Sequence, residues 1–331
     1  MTVLNTTSDV NINMRGYYDR NLLENAWPEL LHDRWAQIRP MPKNQGDRIN
    51  FRIYGPLPVG SRLTEGKTPT GKKAQTSDIY TTLVQFGDFL TYSDRLVMLG
   101  LDSTLLEYGE LLGQQAGDTV DQFHRDEMVS GTNVRYANGV AARTSVNTAL
   151  SKNDLRSVVR TLEGNKTRKV KQMIAASTKV GTVPVRPSYI AITHFDCRQD
   201  LEDIPGFVPV EQYANHKSTY ETELGEYKGI RFVATTNAKI HEDSGSGTLN
   251  GMVSTSSSQT DVYITMVFGA NFYGSVPLQR KNIKNIIKDL GSSGVDDAID
   301  QRGSSGWKTD IGGLILNNDF GVRLEHCVTD L

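Results

Sequence analysis

The chain has 331 residues, 37% of them hydrophobic and 22% charged, with a formal net charge of −2 at pH 7. That length accommodates two or three lobes around a sizeable core, and the near-neutral balance excludes a protein whose whole surface binds nucleic acid. Two distant cysteines, Cys197 and Cys327, exclude a disulfide framework and cannot build a zinc site unaided. The longest apolar runs fall well short of the roughly 18 residues that a membrane helix needs. The opening residues Met1, Thr2, Val3, Leu4 and Asn5 lack the basic and apolar regions of a secretion signal, so a soluble, reduced product with no membrane association is expected.

In chain order, residues 1–16 are polar and irregular and read as a tail or a strap onto a neighbour. Over 17–38, Tyr18, Leu22, Ala26, Leu30, Leu31 and Trp35 recur at three- and four-residue steps. This predicts a helix, despite Pro28, that ends at Pro40 and Pro42. Residues 48–54 then alternate with period two, and 78–86 are rich in β-branched and aromatic residues, so the two segments predict a two-stranded arm. Between them, 55–77 holds few large apolar residues. It cannot bury a core of its own and must move or lie on something else.

The strongest helix signal lies over 104–130, where Thr104 with Glu107 makes a capping-box pattern. Leu105, Tyr108, Leu112, Ala116, Thr119 and Phe123 form one seam. Gly109, Gly113 and Gly117 are four apart, hence on one face, and each costs about 1 kcal/mol relative to Ala. That cost is understandable if another backbone packs close there; a kinked rod is the alternative. A second helix is expected over 151–162, capped by Ser151 and Asp154 and stopped by Gly164. Residues 188–193 and 229–235 read as strands, 196–203 as a helical turn, 241–260 as a Ser/Gly/Thr-rich surface loop, and 261–268 and 311–326 as alternating strands. Gly303, Ser304, Ser305 and Gly306 read as a flexible turn, after which Trp307 anchors the chain end on the core beside the long helix. Strands and helices mix without a regular repeat, so the predicted class is α+β.

Charge is regional. Residues 43–75 carry seven Lys/Arg against two acids, 152–172 again seven against two, and 196–226 eight acids against two bases. Opposed patches on a nearly neutral chain suit contacts between copies, although solvated faces look the same.

No reaction centre emerges. Gly66, Lys67 and Thr68 suggest a phosphate loop, but Ser61 stands where that loop needs a glycine, and Pro69 and Gly71 follow where a helix should begin. Gly245, Ser246 and Gly247 lack the third glycine of a dinucleotide site and read as a flexible tip. The histidines His32, His124, His194, His216, His241 and His326 form no metal-spaced pair, and His124 reads as solvated or salt-bridged beside Arg125 and Asp126. His194 and Cys197 near Asp196 come nearest to a nucleophile site but lack a third partner. Glu107, Glu110, Asp296, Asp297 and Asp300 read as solvated faces. No catalytic residue, cofactor or metal is expected. The basic excursion with Lys67, Lys72 and Lys73 lacks aromatic residues at its tip for stacking bases, so docking on an adjacent protein subunit is the favoured reading.

The order of elements resembles the subunit of the Hong Kong 97-type capsid fold. Several segments resemble the tailed-phage major capsid proteins typified by phage N-four and its prophage relatives. These are Tyr18-Asp19-Arg20-Asn21-Leu22-Leu23, Arg48-Ile49-Asn50-Phe51-Arg52, Leu63-Thr64-Glu65-Gly66-Lys67-Thr68-Pro69 and Tyr92-Ser93-Asp94. The closing segments are Gln301 to Lys308, Ile315-Leu316-Asn317 and Val322-Arg323-Leu324-Glu325. The resemblance implies an N-terminal arm with helix over 1–45, an extended loop over 46–92, and a spine helix with peripheral domain over 93–175. It further implies an axial domain over 176–275 and a return to the peripheral domain over 276–331.

It also implies a structural, self-assembling protein of the virion, built in the host bacterial cytoplasm from hexamers and pentamers around double-stranded DNA. Portal, scaffolding and decoration proteins would be partners. The inter-subunit loop would carry Arg62, Glu65, Lys67, Lys72 and Lys73. Some shells of this fold join neighbours through a Lys to Asn isopeptide bond; Lys67, Lys72 and Lys73 are candidates, but the acceptor and catalytic acid find no match. An encapsulating compartment of the same fold is the alternative, and a basic-arm nucleic-acid-binding enzyme a remoter one.

Overall fold

The computed structural model describes residues 31–42, 44, 46–55, 57, 59–60, 62–63, 65–68, 70–99, 104–171, 186–213, 220, 222–278, 283–292 and 299–330. In chain order these form β1 (Gln37–Ile38), β2 (Arg48–Tyr54), β3 (Thr76–Thr82), β4 (Val84–Ser93), a short helix (Asp94–Leu99) and the long helix (Thr104–Val129). Then come β5 (Val134–Tyr136), a capped helix (Lys152–Gly164), β6 (Tyr189–His194), a short helix (Arg198–Glu202), β7 (Val208–Pro209) and β8 (Glu223–Tyr227). The chain continues through β9 (Ile230–Thr235), β10 (Ile240–His241), β11 (Val262–Phe268), β12 (Tyr273–Pro277), β13 (Lys284–Lys288), β14 (Arg302–Ile315) and β15 (Gly321–His326).

An eight-stranded mixed sheet runs β5-β15-β11-β6-β9-β8-β7, with β10 also on β11. Its central strand β11 is buried at every position, which removes the alternation expected over 261–268. Both faces are covered, so both parities must be apolar. On one side Tyr189 and Ala191 of β6 pack with Leu155, Val158 and Leu162 of the capped helix. On the other, Ile190 and Ile192 pack with Leu31, Met128, Phe268 and Phe272. The helix over 152–164 starts as expected: Ser151 N donates to Asp154 Oδ2 at 3.1 Å, and Asp154 N donates to Ser151 Oγ at 3.4 Å. Such a cap contributes about 1 kcal/mol.

The second sheet is built on β14, which pairs with β4 from Arg302↔Ser93 to Ile311↔Val84. On its other edge β14 pairs first with β13 and then with β12. The long helix, about 39 Å at 1.5 Å per residue, lies across this sheet. A four-residue link between β11 and β12 and a five-residue link between β14 and β15 join the two sheets, and they hold each other through Gly269 N to Phe320 O at 3.0 Å and Leu316 N to Phe272 O at 2.8 Å.

Several expectations change here. The strand expected over 78–86 is two strands: β3 pairs only with β2, and β4 pairs with β14. Leu83 is the junction: its N–H still donates to Asp47 O at 2.8 Å, in register with β2, and from Val84 the chain pairs with β14 instead. The supposed flexible turn at Gly303 to Gly306 is the interior of β14. Its glycines are needed for close approach: a Cβ on Gly306 would lie 2.6 Å from Phe89 Cβ, and one on Gly303 would collide with the Tyr92 ring. Gly245 is likewise no free tip. It is buried, and its N–H donates to Thr260 O at 2.9 Å.

Of the helix expected over 17–38, residues 31–36 are turns and 37–38 are β1, which pairs with β12; residues 17–30 lie outside the described residues. The region 93–175 does not stay with one sheet, because β5 and the capped helix join the eight-stranded sheet. Within 276–331, β15 also crosses to that sheet by pairing with β11. No helix among the described residues is long and apolar enough to cross a membrane.

Candidate assembly surfaces

The arm is a hairpin with a buried root and an exposed tip. At the root Phe51, 3% exposed, packs with Met41, Val276, Leu314 and Leu316, and Thr81 Oγ1 donates to Gly313 O at 2.9 Å. Arg52 grips Asp78 with hydrogen bonds of 2.8 and 3.1 Å, and at the root end the Arg48 guanidinium lies 3.3 Å from the Tyr80 ring centroid. These exposed pairs order the ladder but contribute little stability. Beyond Gly55, every described side chain through residue 75 is exposed, including Arg62, Glu65, Lys67, Lys72 and Lys73. Lys72 Nζ reaches back to Val59 O at 2.7 Å. Leu57, Val59 and Leu63 are 62%, 93% and 70% exposed, and Tyr54 and Tyr80 on the two strands are exposed as well. Apolar side chains concentrated on a basic projection mark a contact surface rather than a core.

The long helix carries a groove of about 660 Å³ on its open side, between Phe86 of β4 and the helix residues Leu111, Asp118, Phe123, Asp126 and Glu127. Burial, with the charge of Asp126, pushes the Glu127 carboxyl up. A second groove, of about 620 Å³, crosses the β14 sheet over Gly306, between Phe89 and Ile286 and beside Asp88, Lys288 and Lys308.

The buried stripe of the helix differs from the expected seam. Leu112, Ala116, Val120 and Met128 are buried as apolar contacts, but so are Asp121 and His124, whereas Thr119 and Phe123 are half-buried. Asp121 holds residues 31–33 in place: its Oδ1 accepts from Leu31 N at 2.8 Å and His32 N at 2.6 Å, and its Oδ2 lies 2.8 Å from His32 Nδ1. Asn237 Nδ2 adds bonds to Asp118 at 2.9 Å and to Asp121 at 3.3 Å. His124 is not solvated. Its Nε2 lies 3.3 Å from both Asp33 Oδ1 and Ser275 Oγ, and burial holds its imidazole below the usual range despite Asp33.

Gly109, Gly113 and Gly117 are all buried. A Cβ on Gly109 would meet nothing within 4 Å, so close backbone packing is not the reason for that glycine. Replacing Gly113 with Leu is expected to cost about 1–3 kcal/mol by overpacking, despite Leu's better helix propensity. Thermal melting of free subunits checks this; a stabilised variant would mean the position has room. Trp307 is 4% exposed and packs against Leu112 and Ala116 of the helix and Ile283, with Phe86 alongside, while its Nε1 donates to Gln115 Oε1 at 3.1 Å.

The nearest approach to a catalytic cluster lies at the end of β6. His194 Nδ1 lies 3.0 Å from Asp196, and Tyr263 is the third partner that the sequence did not show, donating to Asp196 at 2.9 Å. Burial pushes the Cys197 thiol up to about 12, so no thiolate forms there near neutral pH. His326 is a satisfied core histidine, between Thr265 Oγ1 and Cys327 O at 2.8 Å each. Among the described residues, no group of His, Cys, Asp and Glu could hold a metal ion. Glu107 and Glu110 are exposed, as is Asp300; Asp296, Asp297 and His216 lie outside the described residues.

The acidic segment 196–226 is less of a surface than its sequence suggests. Asp200 is buried and accepts from Thr329 N and Oγ1, and Glu223 is buried against Arg231 at 2.8 Å. Arg198 lies 2.8 Å from Glu202 and 3.7 Å from Glu211.

No protein-family model matches the chain, and neither does any curated protein. Among solved structures it is similar to the capsid of Ralstonia phage GP4, at 12% identity and TM-score 0.66, covering 91% of this chain and 89% of that one. It is also similar to the capsid asymmetric unit of cyanophage Pam1, at 11% identity and TM-score 0.60, over 90% and 93% of the two chains. The head structure of Helicobacter pylori bacteriophage KHP40 matches at 12% identity and TM-score 0.59, over 92% and 91%. At such identities the likeness shows the fold. It is α+β, of the Hong Kong 97 capsid type.

Proposed function

We propose that this chain is a tailed-phage major capsid protein, a structural subunit that assembles with copies of itself into an icosahedral shell around a double-stranded DNA genome. The arm carries this reading: a basic hairpin projects three large apolar side chains into solvent, and within one subunit nothing described covers them. A fold shared with phage capsids supplies the context in which such an arm has a use. Membership of the N-four-type family, a purely structural role, portal, scaffolding and decoration partners, and assembly in the host cytoplasm belong to the same proposal.

Electron microscopy of the protein, expressed alone and with its genomic neighbours, tests it. Closed shells are expected, and a permanently monomeric product would overturn it. Nucleic acid inside the shells separates a phage head from a protein-filled compartment of the same fold. The arm should also change state on assembly. In free subunits 55–75 should be cut rapidly by trypsin at Arg62, Lys67, Lys72 or Lys73, and in shells it should be protected, because its order comes from intermolecular contacts. Equal cleavage in both states would show that the arm stays free.

A further inference from the structure

We propose that residues 31–36 form an acid-released strap, which lies against the long helix and β12 while His124 is neutral and lifts away, with both sheets still folded, when that ring takes a second proton. The strap has no helix or strand of its own; it is a run of turns that leads into the two-residue β1. Leu31, Trp35 and Ala36 are its apolar anchors. Its remaining hold is polar and comes from ionisable neighbours. Asp121 accepts from Leu31 N and His32 N and lies against the His32 ring, Tyr273 Oη donates to His32 O, and Asp33 Oδ1 faces His124 Nε2. A short segment fastened in this way is where local opening costs least.

A proton arriving at His124 meets a poor site. The side chain is 1% exposed, its Nε2 is 3.3 Å from both Asp33 Oδ1 and Ser275 Oγ, and its Nδ1 is buried with no hydrogen-bond partner among the described residues. The neutral ring can donate from Nε2 and leave Nδ1 bare, whereas the imidazolium must place a second N–H and a charge there. The titratable groups facing the ring are Asp33 and His32 of the strap and Asp121 of its own helix; Tyr273 of β12 stays neutral, its hydroxyl pushed well up by burial. Burial outweighs the two carboxylates and holds the imidazole below its ordinary range, and His32 adds to that effect. A depressed imidazole contributes stability that is fully present above the ordinary histidine value, about 6.5, and is lost as pH falls below it. Asp121 loses its carboxylate in a lower window, below about 3.9. Release bares the face of β6 and β11 that Leu31 and Trp35 cover, with Ile190, Ile192 and Phe268.

The test is hydrogen exchange of the full-length free subunit at about pH 7.5 and about pH 5, on either side of the ordinary histidine range and above that of Asp121, corrected for the intrinsic effect of pH on exchange. It needs no shell, so its outcome is separate from the capsid reading. Amides of 31–36 are expected to gain about tenfold at the lower pH while β6, β9 and β11 stay protected. His124→Gln cannot take the proton and should remove the gain. Asp33→Asn keeps the histidine but removes a carboxylate that favours its charged form, so the gain should be larger than in wild type. No gain in wild type, an equal gain in His124→Gln, or a gain spread over the whole chain would overturn the inference. If His124→Gln is already open at the higher pH, Asp33→Asn decides: a gain no larger than that of wild type overturns it as well.

Discussion

Trp307→Ala is expected to destabilise the free subunit by about 3–5 kcal/mol, the cost of emptying a fully enclosed aromatic site. The ring lies between β14 and the long helix, so its loss loosens the contact between these two elements. Leu112, Ala116 and Ile283 would face a cavity, and Gln115 would lose the indole donor that fixes its carbonyl while its amide holds Asp88 at 2.7 Å. Trp307→Phe keeps most of the apolar contact and should recover most of the loss, because the exposed Gln115 can turn to water. Denaturant midpoints of wild type and both variants decide the matter. If both variants unfold like wild type and only shells fail to form, Trp307 serves a contact between subunits and the anchor reading is wrong.

Asp121→Ala is the second large effect, about 3–5 kcal/mol, because removing a buried acceptor strands several donors at about 1–3 kcal/mol each. Two backbone N–H groups and the His32 ring would face a void with no acceptor. Residues 31–33 should come away from the helix in this variant, exposing Leu31 and the face of β6 beneath it. Burial pushes the Asp121 carboxyl up, but the hydrogen bonds and charge of His32, with the amide of Asn237, outweigh it and leave the group below its ordinary value. A depressed carboxylate contributes stability that is fully present above the unfolded value, about 3.9. It is lost as pH falls through the folded value. Wild type should therefore lose stability below about pH 4, and Asp121→Asn should lack that component. Parallel acid titrations of the two would show equal slopes if Asp121 carries no such linkage.

Much of the architecture was legible because it depends on local pattern. The arm strands, the capped helix over 152–164 and the long helix all declared themselves through period and caps. The errors have a common cause. Asp121 and His124 on the long helix break an apolar pattern, and they are buried only because residues 31–33, Ser275 and Asn237 arrive from 89 to 151 positions away. The same holds for Gly303 and Gly306, where a pair of glycines flanking two serines reads as a turn until Tyr92 and Phe89 lie across them. The acidic run 196–226 read as a patch because sequence cannot show that Asp200 and Glu223 turn inward.

The sequence by itself determined that this protein mixes α and β structure and carries a basic arm too poor in apolar residues to fold on itself. Periodicity, loop composition and residue inventory are properties of neighbouring positions, and they survive in any packing. Only the tertiary structure decided which strands pair, since β4 and β14 meet across more than two hundred residues. It also decided which charges stay on the surface. A side chain's exposure depends on what the rest of the chain brings against it, and that is why Asp200 and Glu223 turn inward while Asp196, Glu202, Asp203 and Glu211 stay exposed.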